Sequence, residues 1–91
     1  MAESVIKLPV GLRITYTSSV LPSGQNTFHD MAVGTILVFY RNGSGIIICG
    51  SGGQYLSVGL SGITVESYTT GGDLVVNRSN SYTGNVIVYS P

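Results

Sequence analysis

The chain predicts an all-β domain, and three observations carry that reading. Apolar residues come in short blocks such as Ile36 to Tyr40 and Ile46 to Cys49, the length of strands and too short for buried helices. No segment keeps a helical period for more than about two turns; the best, His29 to Val33, soon meets Gly34. Glycine, serine, threonine and asparagine clusters separate the later blocks at intervals of about 11 residues. Together they give a small antiparallel β-sandwich or jelly-roll-like barrel of about seven to eight short strands. With no linker composition anywhere, the 91 residues read as a single domain, 1–91.

In chain order, Val5 to Leu8 is a short apolar run closed by Pro9 and Gly11. Leu12 to Thr17 alternates, with Leu12, Ile14 and Tyr16 expected on one face and Arg13, Thr15 and Thr17 on the other. Ser18 to Asp30, carrying Pro22, Gly24 and Asn26, reads as a long loop crossing one end of the fold. Gly34 to Gly50 then reads as a hairpin about the turn Asn42-Gly43. A short strand from Tyr55 to Val58 follows, framed by glycine and serine. Ile63 to Tyr68, Leu74 to Ser79 and Val86 to Tyr89 complete the set.

The hairpin is the most informative segment. A strand with one wet face alternates apolar and polar residues, whereas Ile36-Leu37-Val38-Phe39-Tyr40 and Ile46-Ile47-Ile48-Cys49 offer no face to water. A chain this short buries a smaller share of its surface than a large domain does. A partner chain is the simplest cover for the second face, and a homo-oligomer, with a trimer favoured, is the expectation.

Composition narrows the function classes. Four basic and four acidic residues give zero formal net charge, and such a surface lacks the field that gathers phosphates, which argues against nucleic acid. No run approaches the roughly 20 apolar residues of a membrane helix, so membrane insertion is not expected. MAESVIKLP has neither the charged nor the apolar region of a secretion signal, which places synthesis in a cytoplasm. The single Cys49 cannot form an intrachain disulfide, and inside the isoleucine run it reads as a small buried hydrophobe.

Little in the chain can do chemistry. There is one histidine, and His29 and Asp30, as neighbours in extended backbone, point opposite ways. No catalytic residues, metal ligands or cofactor are therefore assigned, and the chain reads as a non-enzyme. Gly43-Ser44-Gly45 and Gly50-Ser51-Gly52-Gly53 lack the lysine and the following helix of a phosphate loop, and read as turns and bulges. The remaining candidates are tyrosines. Tyr82, in the turn Ser79 to Gly84 with Asn80, Ser81 and Thr83, offers a stacking face among hydrogen-bonding groups. Arg78, on the same face as Leu74 and Val76, can reach the strand end to add a charged donor. Tyr68, beside Thr69 and Thr70, makes a weaker case of the same kind. These six, Tyr82, Asn80, Ser81, Thr83, Arg78 and Tyr68, are the candidate ligand-binding residues, with Leu21 to Asp30 as a second recognition segment.

The final third, GITVESYTTGGDLVVNRSNSYTGNVIVYSP, resembles the ends of bacteriophage tail-fibre and receptor-binding proteins. There a strand, a Gly-Asp turn, a strand, a Ser/Asn/Tyr turn and a last Val-Ile-Val strand close a small β tip. The resemblance implies a viral protein located in the virion, a homotrimer, and recognition of a cell-surface glycan or protein. The long repetitive shaft of such fibres is missing, which leaves a structural subunit, such as a capsid decoration or tail protein, as the alternative.

Overall fold

The computed structural model describes residues 11–41, 43–79 and 84–91, with the side chains of Ser19 and Val20 left aside. The first expected strand, Val5 to Leu8, lies outside them, as does Asn42 of the hairpin turn. Eight strands form: β1 (Arg13–Leu21), β2 (Gly24–Phe28), β3 (Ile36–Tyr40), β4 (Ser44–Cys49), β5 (Tyr55–Ser61), β6 (Ile63–Tyr68), β7 (Leu74–Arg78) and β8 (Gly84–Ser90). They make a five-stranded sheet, ordered β1-β8-β3-β4-β5, and a three-stranded sheet, ordered β2-β7-β6. Every pairing is antiparallel, and the two sheets form a small β-sandwich. No helix among the described residues is long and apolar enough to cross a membrane.

The core is the pair of inner faces. Leu37 and Phe39 of β3, Ile47 and Cys49 of β4, and Val86 and Val88 of β8 meet Leu74 and Val76 of β7 and Ile63 of β6. Phe28 closes the β2 side, edge-on to Phe39 with ring centroids 6.3 Å apart. Gly45 makes one close approach possible. It has φ of 124° at the irregularity in the β4–β5 ladder, and a β-carbon there would stand 2.7 Å from Leu60 Cα.

Two expectations are corrected. Ser18 to Asp30 is not a loop: β1 runs on to Leu21, Pro22 and Ser23 turn the chain, and Gly24–Phe28 is β2, paired along its whole length with β7. Its sequence, GQNTF, has no strand rhythm, and pairing with a buried neighbour overrides local preference. The alternation of Leu12 to Thr17 also breaks. Ile14 pairs with Tyr89 and Tyr16 with Val88, so a bulge at Thr15 sends Ile14 to the outer face and Tyr16 to the inner one.

The outer face of the five-stranded sheet is apolar from edge to edge. One row runs Ile14, Tyr89, Ile36, Ile48, Leu56; the next runs Thr17, Ile87, Val38, Ile46, Val58. Neither row holds a charge. Ile36, Val38, Ile48, Ile87 and Tyr89 are half-buried by their neighbours, while Ile46 is exposed and Ile14 is 53%, Leu56 58% and Val58 55% exposed. Among the described residues, the hairpin of β3 and β4 is thus covered on its inner face alone.

Candidate functional site

The five-stranded sheet overhangs the three-stranded one, and on the β1 side the overhang makes a cleft. Edge strand β1 and edge strand β2 are not bonded to each other, and the space between them is a cavity of about 500 Å³. Its floor is Leu21, Phe28, Met31 and Val88, all buried. The bulge at Thr15 supplies one wall, because it turns Tyr16 inward, where its ring stands edge-on to Phe28 at 6.1 Å while remaining 49% exposed. Such a volume lies within the roughly 300 to 1,000 Å³ typical of small-molecule sites.

The rim is polar, and four of its side chains are held by neighbours. Thr15 Oγ1 and Ser90 Oγ share a hydrogen bond of 2.7 Å. Asn26 Nδ2 donates to the carbonyls of Pro22, at 3.0 Å, and Gly24, at 3.1 Å. His29 Nδ1 lies 2.7 Å from Asp73 Oδ1 across the β6–β7 turn. With the carboxylate accepting, Nδ1 carries the hydrogen, and Nε2 is left for a further hydrogen bond.

The loop after β2 is fixed well enough to hold His29 in place. Asp30 turns the chain at φ of 60°, a left-handed conformation that short polar side chains tolerate. Met31 N then donates to the Gly72 carbonyl at 2.9 Å, and Gly71 N to the Met31 carbonyl at 3.0 Å.

Of the residues proposed from sequence, Asn80, Ser81, Tyr82 and Thr83 lie outside the described residues. Arg78 does share the inner face of β7 with Leu74 and Val76, but it is 1% exposed, so its guanidinium is enclosed beneath the strand ends and does not stand at the surface. Tyr68 is half-buried. Its hydroxyl donates to the Met31 carbonyl at 2.7 Å and lies 3.2 Å from that of Gly50. Thr70 Oγ1 donates to Gly50 O at 2.8 Å and accepts from Gly53 N at 2.9 Å. The pair therefore braces three connections at one end of the sandwich. The second segment, Leu21 to Asp30, does reach a cavity, through Leu21 and Asn26 to Asp30.

Cys49 is 2% exposed, and burial pushes its thiol above the ordinary value, partly offset by the neighbouring Tyr68 hydroxyl. Burial likewise raises Tyr68. His29, at the surface, partners Asp73 and not its neighbour Asp30. The cleft and the His29–Asp73 pair escape sequence reasoning because the contributing residues lie far apart in the chain. No family model, curated protein or solved structure matches this chain.

Proposed function

We propose that the chain is a non-enzymatic, homo-oligomeric β domain that presents loops and clefts for recognition of a cell-surface glycan or protein, in the manner of a phage receptor-binding tip. The observation that carries it is the outer face of the five-stranded sheet. Two rows across five strands, spaced about 4.8 Å apart, present roughly 300 Å² in projection. A contiguous apolar area of that size falls among the largest patches of soluble monomers, roughly 300 to 600 Å², which often serve as contact surfaces. The occupant that fits is the same surface of further copies of this chain: its two rows carry no charge needing a complement, and apolar sheet faces pack against one another in assemblies. The trimeric order and the virion setting rest on the resemblance of residues 62–91 to tail-fibre ends.

The non-enzymatic part of the reading rests on the lack of a nucleophile beside the His29–Asp73 pair, since Cys49 is enclosed in the core. Several copies of a weak site on one oligomer supply useful avidity. The test is mass in solution by light scattering, followed by adsorption of the purified protein to bacterial cells. An oligomer that adsorbs, and loses adsorption when Tyr82→Ala or Asn80→Ala alters the turn from Ser79 to Gly84, supports the reading in full. A monomer at micromolar concentration overturns the assembly. An oligomer that binds assembled virions and no cells replaces adhesion by the structural-subunit role.

A further inference from the structure

We infer that the cleft between β1 and β2 is a binding site for the pyranose ring of a neutral saccharide. This deepens the recognition reading by naming a site and a ligand class, and it rests on that reading only for its biological setting.

The argument is one of matched surfaces. A pyranose has an apolar face of C–H groups and a rim of hydroxyls. The cleft has an apolar floor, an aromatic ring exposed at its mouth, and hydrogen-bonding groups around its edge. Tyr16 is held in a T-shaped pair with Phe28 and is still 49% exposed, which leaves ring surface for stacking at little cost in side-chain entropy. Four of the rim side chains are oriented in advance, since each has spent one hydrogen-bonding atom on the protein. Asn26 has committed Nδ2 and keeps Oδ1; His29 has committed Nδ1 and keeps Nε2; Thr15 and Ser90 share one bond and keep one hydroxyl hydrogen between them. These groups at fixed positions suit vicinal hydroxyls, and preorganisation is what makes few contacts sufficient.

Charge sets the class more narrowly. Asp30 lines the cavity and Asp73 stands behind His29, while no lysine or arginine lines it. Acidic sugars such as sialic acid are repelled, and phosphate groups find no cationic partner. A purely apolar ligand would leave the rim groups desolvated and unmatched.

The experiment is saturation-transfer and chemical-shift NMR on the intact protein. The probes are methyl glycosides of glucose, galactose, mannose and N-acetylglucosamine, with methyl sialoside as charged control and indole as apolar control. A single ring should bind at about millimolar Kd, with shifts at Tyr16, Asn26 and His29. Tyr16→Ala should weaken binding at least tenfold, whereas Tyr16→Phe, which keeps the ring, should retain it within about threefold. Asp73→Asn should weaken it several-fold by loosening His29. Failure of every neutral glycoside to bind overturns the proposal, as does indole binding in their absence, sialoside preference, or equal binding by parent and Tyr16→Ala. Cell adsorption measured on the same preparations keeps the two readings apart. Adsorption unaffected by Tyr16→Ala removes this cleft while leaving recognition intact, and glycoside binding without adsorption does the reverse.

Discussion

Gly84 lies against the guanidinium of Arg78: a β-carbon built on it would stand 3.0 Å from Nε and 3.2 Å from Nη2. Gly43, in the β3–β4 turn, closes on the same group, with its own β-carbon position 3.4 Å from Nε. The arginine thus extends the Leu74–Val76 row and fills one end of the sandwich between two glycines. Gly84→Val should destabilise by about 1 to 3 kcal/mol through overpacking. Arg78→Ala should cost about 2 to 5 kcal/mol through the volume it empties. Urea denaturation of both variants measures this, and a Gly84→Val protein as stable as the parent would show that the guanidinium moves freely.

The two faces of β4 and β5 should respond oppositely to charge. Ile47 is fully buried on the inner face, and Ile47→Asp should give insoluble or unfolded protein, since an unpaired buried carboxylate is costly. Val58, paired with Ile46 on the outer face, tolerates Val58→Asp within a single chain. That variant should keep the β circular-dichroism spectrum and fall to monomer mass in light scattering. Retention of the parent's oligomer mass would move the interface off this face.

Cys49 should be closed to small thiol reagents until denaturant is added; fast stoichiometric labelling of native protein would contradict its enclosure. Its titration has a stability consequence. Folded Cys49 and Tyr68 hold their protons to higher pH than the ordinary 9.0 of a thiol and 10.0 of a phenol. The stability they lend is therefore fully present below about pH 9 and is lost as pH rises through the raised values. Melting temperature should be level in this respect from pH 6 to 8 and decline above about pH 9. Cys49→Ala should remove part of the decline.

Thr35 is fully buried, and its hydroxyl makes no hydrogen bond among the described residues, although its backbone N–H and carbonyl are both bonded. Thr35→Val removes an unmatched polar atom at nearly constant shape. It should stabilise the fold by about 1 kcal/mol, read as a higher urea midpoint, and a lower midpoint would mean that the hydroxyl has a partner.

The strands with strong local character were legible in the sequence. Ile36 to Tyr40, Ile46 to Cys49 and Ile63 to Tyr68 form where their apolar blocks lie, and Leu74–Arg78 ends one residue before its expected limit. What was hidden depends on partners distant in the chain. Gly24–Phe28 is polar enough to read as loop and becomes a strand because β7 offers it a complete ladder. The bulge at Thr15 has no glycine to announce it, so Tyr16 was assigned to the face it leaves. The His29–Asp73 contact spans 44 residues, and the cleft exists only because one sheet is wider than the other. Apolar excess on β3 and β4 was readable, but not its continuation across all five strands, which follows from register alone.

The pairing of β1 with β8, from Arg13 opposite Ser90 to Leu21 opposite Gly84, sets a schedule for synthesis. The first described strand has no ladder partner other than the last, and β3 lies on the last strand's other edge. While the chain emerges from the ribosome, β3, β4 and β5 can form a meander, but neither β1 nor the full outer face can be completed until Gly84–Ser90 has emerged. Loop closure over nearly the whole chain is slow, and the waiting species exposes strand edges and apolar rows. Copies made on one messenger would meet in that interval with their faces unfinished. Completion of the outer face is thereby deferred until β8 is in place, and a longer interval before Gly84–Ser90 emerges should favour aggregate over folded protein.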